Sequence, residues 1–516
     1  MSLAAGDLAR RTPQDVALAD ERQALTWAEL DQTFNRATNG LLALKLAAGD
    51  RVAVFAPNSI ENVIAYQAAL HAGISSVPVN FHLTVDEVVY ILEDSGTRVL
   101  FVSPETMDVG LQAARKAGVK TVIGWRCPPS PQLTHWTAWL ASSSSAPPPT
   151  NMRPRPHLHY TSGTTGRPKG AETPPNMFPG GETVEQFFAS LREAVTTTGS
   201  LSPIAIVSPM YHTGPLSTMR RLGGGAAIVV LSRFDPENLL ATIEKHGVQT
   251  MVMVPTHFQR LLALPEAVRK KYNVSSLRSV AHTGAACPRD VKQKMIEWWG
   301  PVLVEAYGAT EAGTTNSITS DEWLRKPGSV GKTMPQFELL VISEEGERMG
   351  VGEVGQLYFR DSTGRGIVYH NDAEKTRAAH REPGVFTLGE VGYFDDEGYV
   401  FITDRVSDMI VSGGVNIYPA ETEQVLIEHP GVSDVAVIGA PNADMGEEVK
   451  ALVVPNDLGN PPTVQELDRF CREQLAGFKC PRSFEFVADI GRNAMGKVNK
   501  KELRRRYWPT ERTIGG

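Results

Sequence analysis

The residues most able to do chemistry lie in one short run, Tyr160-Thr161-Ser162-Gly163-Thr164-Thr165-Gly166-Arg167-Pro168-Lys169-Gly170. Its three glycines let the backbone approach a ligand and take positive φ. Its hydroxyls and N–H groups can donate to phosphate oxygens, and Lys169 adds a compact positive charge. The run is not a P-loop, because Pro168 separates Arg167 from Lys169 and the spacing fails. A second run, Tyr307-Gly308-Ala309-Thr310-Glu311, follows an apolar stretch that reads as a strand. It therefore sits at a strand's carboxyl end, where open α/β sheets bind ligands. His212 follows another such stretch and offers a polar contact. Lys497 lies in a basic tail with Lys500, Lys501 and Arg504 to Arg506. Taken singly, these last side chains are ordinary surface residues.

Taken in order, the runs resemble the adenylate-forming superfamily: acyl-CoA synthetases, aryl-CoA ligases, peptide synthetase adenylation domains and firefly-type luciferases. The resemblance spans essentially the whole chain. It implies that Thr161, Ser162, Gly163, Thr164, Thr165, Gly166 and Lys169 hold the phosphates of ATP. Pro209-Met210-Tyr211-His212 resembles the segment whose histidine stands beside the substrate carboxylate. Tyr307 is implied in adenine stacking with Gly308 beside it, Thr310 in phosphate binding and Glu311 in holding magnesium. The chemistry agrees, since a carboxylate beside phosphates is unfavourable unless a cation bridges them. Ala281-His282-Thr283-Gly284-Ala285-Ala286 looks like the loop that lines the acyl pocket, with Gly284, Ala285 and Ala286 against adenine. Glu390 stands where the family has an aspartate on the ribose hydroxyls, one methylene longer. Arg405 aligns with an arginine that contacts ribose or phosphate. Lys497, after Gly496, matches the lysine that neutralises charge between carboxylate and α-phosphate.

These residues must be positioned by a layered scaffold. Arg51 to Ala56 reads as a buried strand, Ile60 to His71 as a helix and Ser76 to Val79 as a strand, an alternation that predicts parallel α/β architecture. Apolar runs at 204–207, 226–231, 250–254 and 302–304, separated by helical stretches at 236–245 and 289–299, predict a second α/β layer. The low-complexity stretch 141–150 (ASSSSAPPPT) is an exposed connector within this region rather than a domain boundary. After Gly350 short strands are expected at 355–359 and 399–402. Beyond Asp404 a helix at 419–429 and a strand at 435–439 predict a small α+β domain. The expected organisation is a large domain of layered α/β subdomains over 1–403 and a small mobile α+β domain over 404–516. The family's hinge falls near Ser407, and Gly413-Gly414 would add freedom there.

The 516 residues exceed what one hydrophobic core usually organises. A net charge of −7 gives no electrostatic footprint for nucleic acid or anionic membrane. No apolar run reaches the roughly 20 residues that span a bilayer, and the first residues do not read as a signal peptide. Four cysteines without C-x-x-C or zinc spacing point to a reducing compartment, the cytoplasm.

The expected reaction is attack of a small-molecule carboxylic acid on ATP with Mg2+, giving an acyl-adenylate and pyrophosphate, followed by transfer to CoA. Gly413 to Pro419 and Phe478-Lys479-Cys480-Pro481-Arg482 resemble stand-alone CoA ligases. An amide synthetase, in which an amine captures the adenylate, is the alternative. The segment after Gly170 (Ala171-Glu172-Thr173-Pro174-Pro175-Asn176) lacks the histidine common there in CoA ligases, which favours that alternative. A nucleotide-binding regulator without catalysis is opposed by the presence of both Glu311 and Lys497. The identity of the acid and the oligomeric state are not legible.

Overall fold

The computed structural model describes residues 4–161, 168–178, 180–197, 202–405, 408–412, 415–442, 444–493 and 496–508. Ser162 to Gly166, Ser407 and Gly413-Gly414 therefore lie outside the described residues. The architecture is mixed α/β, with a large region followed by a smaller C-terminal one, as expected.

Helix starts follow local chemistry. Thr26 and Glu29 form a capping box at the helix Trp27–Ala43, the Thr26 N–H donating to Glu29 Oε2 at 2.9 Å. Ser59 caps the helix Ile60–His71, all of whose residues are buried. A helix apolar on most sides belongs between layers, and this one packs against the helix Thr213–Gly223.

The first layer is a parallel five-stranded sheet ordered Ser75–Val79, Arg51–Phe55, Thr97–Val102, Thr121–Gly124, Thr134–His135. The second is a 14-stranded sheet. Its parallel half runs through Val16–Ala19, Ile228–Val230, Ile204–Ile206, Thr250–Met253, Ser279–His282 and Leu303–Ala309. Its antiparallel half comprises strands between Gly313 and Arg405. The chain's beginning thus pairs with the middle of the sequence, and no boundary falls at 141–150. That connector is strapped down: Arg36, Asn35 and Asn39 donate to the carbonyls of Ser143, Ser144, Ser145 and Ala146.

The strands and helices read from the sequence between 51 and 299 are present within a residue or two. After Gly350 the strands expected at 355–359 and 399–402 are present but longer, as Gly355–Asp361 and Tyr399–Arg405, and the ten-residue strand Val385–Phe394 was not expected. Two register shifts on this last strand accommodate Gly389 and Gly392, glycines that read as breaks.

The C-terminal sheet is ordered Val415–Ile417, Ile410–Ser412, Gly446–Pro455, Val432–Asn442, with Ser483–Phe486 parallel to Gly446–Pro455. Helices Pro419–Ile427, Val464–Arg472 and Lys500–Arg505 accompany it. Strand Val432–Asn442 is longer at both ends than the expected 435–439.

Candidate active site

The two ends of the glycine-rich run are brought together: Leu158–Thr161 pairs antiparallel with Lys169–Glu172, in register Thr161↔Lys169, with Gly170 in the second strand. This hairpin is tethered: the Tyr160 hydroxyl donates to Asp94 Oδ2 at 2.5 Å, and Asn371 donates to the other carboxylate oxygen at 3.2 Å. Burial and the Asp94 bond both push the Tyr160 phenol up. The second strand of the hairpin also meets residues 368–370. Ala171 bridges Tyr369, the His370 N–H donates to the Gly170 carbonyl at 2.8 Å, and that of Glu172 to Val368 at 3.0 Å. Nothing in the sequence pattern couples 170 to 370; only the tertiary pairing does.

Tyr307 lies in the strand Leu303–Ala309, and Thr310 and Glu311 follow its carboxyl end. Gly308 is required there, because a Cβ would stand 2.0 Å from the Gly313 carbonyl oxygen. Each polar group of the run has a partner from another element. The Tyr307 hydroxyl donates to Glu390 Oε2 at 2.8 Å. Thr310 and Thr213 hydroxyls are 3.0 Å apart. The Tyr369 hydroxyl donates to Glu311 Oε1 at 2.8 Å. Glu390 is buried, opposite Arg405 in the strand register; the Arg405 side chain lies outside the described residues.

Gly284, at φ 91°, Ala285 and Ala286 follow the neighbouring strand Ser279–His282. Beneath them lies a buried ion pair. Lys292 Nζ donates to Glu305 Oε2 at 2.5 Å, and His282 Nε2 is 3.7 Å from the same oxygen. Burial raises the Glu305 carboxyl, and the Lys292 charge opposes that rise.

His212 caps the helix Thr213–Gly223. Asn58 positions this segment, accepting the Met210 N–H at 2.8 Å and donating to the carbonyls of Ser208 and Leu231. The His212 imidazole is pushed down to about 3 by burial first, then by His159 and Lys497. It is neutral at physiological pH, a neighbour suited to a carboxylate nucleophile that must stay unprotonated and unpaired. Its Nε2 is shut off from solvent and has no hydrogen-bond partner among the described residues. Lys497, from the other end of the chain, thus reaches the vicinity of His212. Its loop rests on the large region at Gly496, where φ is 74° and a Cβ would stand 2.8 Å from Thr256 Cγ2.

The histidine-lacking segment after the hairpin is packed into the site. Asn176 Nδ2 donates to the Ala312 carbonyl at 3.1 Å, and Arg220 donates to that of Met177 at 2.6 Å. Between the C-terminal loop and the helix Pro255–Leu262 lies a cavity of 440 Å³, lined in part by Phe81, Phe234, Arg233, Arg260 and Arg492. Phe81 touches Tyr211 edge-on at 5.6 Å, so the cavity borders the His212 segment.

A magnesium ion fits the donor set. No group of three or more metal-ligating side chains exists among the described residues, so the protein alone does not cage a metal. One carboxylate, Glu311, is what a small hard cation shared with phosphates would take.

Sequence reasoning missed Asn58, Thr213, Tyr369 and Lys375. Thr213 alone carried a signal, being adjacent to His212. Lys375 Nζ stands 3.5 Å from the Tyr369 ring centroid with Lys169 against it. Burial and then Lys169 push its ammonium down to about 8.

A layered α/β scaffold with strand-end polar groups and a phosphate hairpin, approached by a lysine from a small C-terminal sheet, is the arrangement of an adenylate-forming ligase. The chain belongs to the AMP-binding enzyme family, which matches residues 7–366, with the AMP-binding enzyme C-terminal domain matching 421–497. It is 34% identical over 508 residues to a feruloyl-CoA synthase of Amycolatopsis, covering 97% of each chain. It is 31% identical to the fatty acid–[acyl-carrier-protein] ligase ScoC of Streptomyces coeruleorubidus, covering 97% of this chain and 95% of that one. The amide bond synthetase McbA of Marinactinospora thermotolerans superposes with a TM-score of 0.81 at 25% identity, covering 98% of this chain and 100% of that one. No helix among the described residues is long and apolar enough to cross a membrane.

Proposed function

We propose that the protein converts a carboxylic acid to its acyl-adenylate and passes the acyl group to CoA. A carboxylate oxygen attacks the α-phosphorus of ATP. The bond from that phosphorus to the α,β-bridging oxygen breaks, and its electron pair leaves on pyrophosphate. Two anions must meet, so positioning and charge neutralisation dominate. The hairpin at 161–170 takes the phosphates, Tyr307 and Gly284 to Ala286 the adenine, and Glu390 with Arg405 the ribose. Thr310 binds phosphate and Glu311 holds magnesium, which when bound neutralises phosphate charge. The observation that carries the reading is the approach of Lys497 to His212, whose neighbour Thr213 is 3.0 Å from the Thr310 hydroxyl. That approach supports a role for Lys497 in neutralising charge between the carboxylate and the α-phosphate.

Two of the relatives named above act on acids bound for thiols, which supports a thiol acceptor. After adenylation the C-terminal domain turns about the hinge near Ser407, exchanging the Lys497 loop for a second face.

An amine acceptor is favoured by a specific observation. Arg472, Lys479 and Arg482 are basic candidates to guide CoA; Arg472 is paired with Asp468 at 2.8 Å and Lys479 with Glu421, so the charge of those two is partly spent locally. The test is to supply ATP and a panel of acids, then CoA and amines in separate reactions. Acyl-CoA formation supports the reading; abundant amide without acyl-CoA overturns it in favour of the amide synthetase. The cytoplasm is the proposed location, in keeping with four free cysteines.

A further inference from the structure

The two lysines at the hairpin need an explanation. Lys169 ends up beside Lys375 because strand Lys169–Glu172 pairs with residues 368–370, just before the helix Ala373–Ala378. Lys375 is half-buried over the Tyr369 ring, and the hydroxyl of that ring is held by Glu311. Asp372, three residues before Lys375, is the helix cap, its Oδ1 accepting the Lys375 N–H at 2.9 Å. The charges of Glu311 and Asp372 act favourably on the Lys375 ammonium, but burial and Lys169 outweigh them. Two ammonium groups brought together in a partly desolvated place repel each other, and the aromatic face offsets only part of that cost. An anion with several oxygens removes the repulsion and turns each ammonium into a charge-assisted donor.

We propose that Lys375 and Lys169 form a two-lysine cradle for the β- and γ-phosphates of ATP, and that Lys375 is a further catalytic residue that holds the departing pyrophosphate. This rests on the adenylation reading above. Tyr369 links the cradle to the metal side: its ring carries Lys375 and its hydroxyl orients Glu311. As the bond to the α,β-bridging oxygen breaks, negative charge grows on pyrophosphate, within reach of both ammonium groups. Lys497 acts on the other side of the α-phosphorus. Charge on the attacking and leaving oxygens is therefore met by different cations on different domains.

The test uses the full chain and two probes, inorganic pyrophosphate with magnesium and AMP, in titration calorimetry. Lys375→Ala is expected to weaken pyrophosphate about 10-fold or more, the loss of one charge-assisted contact, and to leave AMP unchanged. Lys375→Arg should restore most of the affinity. The KM for ATP should rise in Lys375→Ala along with a fall in kcat. Lys375→Gln, closer in shape, replaces Lys375→Ala if the smaller side chain unfolds the helix. Equal pyrophosphate affinity in the variant and the wild type overturns the cradle, as does an equal loss for AMP, which would mark a structural role. If wild-type protein binds neither ATP nor AMP, it is the adenylation reading that falls.

Discussion

The large region and the C-terminal loop, which the proposed reaction brings together, are built in opposite ways. In the large region the polar groups sit at strand ends and are cross-linked: Tyr307 to Glu390, Thr310 to Thr213, Glu311 to Tyr369. Beneath them lies the Lys292–Glu305 pair, closed off by Trp323, whose ring centroid is 4.9 Å from the Lys292 ammonium. Lys497 instead rides on a loop between the strand Ser483–Phe486 and the helix Lys500–Arg505. A Gly496 contact with Thr256 rests it on the large region, and an Arg492–Asp434 pair braces it within its own domain. Pre-organisation is useful where geometry must persist through both half-reactions. A group needed in only one is better placed on something that can leave.

The largest expected effect strikes the persistent half. Lys292→Met leaves Glu305 charged and unpaired in the core and should cost about 3–5 kcal/mol of stability, read by chemical denaturation. Lys292→Met with Glu305→Met should recover most of that. If the single variant is as stable as wild type, the claim that this pair supports the adenine side is wrong.

Lys497→Ala should slow adenylation by roughly 3–4 kcal/mol in the transition state, leaving stability untouched. Reaction of supplied acyl-adenylate with its acceptor should proceed as in wild type. Wild-type pyrophosphate release from this variant would remove Lys497 from the first half-reaction.

Acid sharpens the contrast through histidines of the large region. Burial pushes His71, His212 and His257 down to about 3 and His159 to about 4, from an ordinary 6.5. Below pH 6.5 the unfolded chain takes up protons that the folded chain refuses. Stability is therefore complete above 6.5 and is lost as pH falls from there toward about 3. At pH 5 each such histidine should cost about 2 kcal/mol. His71 is a clean case, with its ring 5.1 Å from that of Phe34 and 5.6 Å from that of Phe188 and no partner for either nitrogen among the described residues. His71→Phe should flatten the fall in urea midpoint between pH 7 and pH 5. An unchanged slope would show that this ring is solvated.

Glu311→Gln should raise the magnesium requirement about 10-fold, since a neutral amide is a weaker ligand for a hard cation. The Tyr369 hydroxyl can still donate to the amide oxygen, so the fold around it should persist. An unchanged magnesium titration places the metal elsewhere.

How much of this was legible in the sequence depended on range. Short strings such as Tyr307 to Glu311 and the run 160–170 stood out through their resemblance to the family's strings, and the structure adds a local reason for one of their residues, the glycine at 308. The buried strands at 51–55 and 250–253 and the helix at 60–71 were legible because apolar residues at those spacings suit little besides a buried element. Strand Val385–Phe394 was not, because its glycines imitate a loop. Lys375, Tyr369 and Asn58 were invisible for a different reason. Their roles arise from contacts with residues 58 or more positions away, and no spacing rule reaches that far. The histidine missing after Gly170 was visible as an oddity. Only the structure shows Asn176 and Met177 packed against Gly313, where a Cβ would stand 2.8 Å from Met177 Cγ.

The smallest expected effect tests the docking of the loop itself. Arg492 reaches both carboxylate oxygens of Asp434, at 2.6 and 2.7 Å, and donates to the Gly496 carbonyl at 2.7 Å. The pair is partly exposed, with about a third of the Arg492 side chain open to water, and exposed pairs contribute about 1 kcal/mol or less. Yet Arg492 is the residue that ties the turn before Lys497 to strand Val432–Asn442, so its loss should loosen the lysine without removing it. Arg492→Ala is therefore expected to slow adenylation by less than about 10-fold. The acyl-transfer step, which does not need the loop in this position, should keep its wild-type rate. High salt, which screens such a pair, should slow wild type more than the variant. A loss as large as that of Lys497→Ala would mean that Arg492 touches substrate directly. An equal loss in both half-reactions would mean that the C-terminal domain had been damaged as a whole, and that its loop is less separable from its core than the contact pattern indicates.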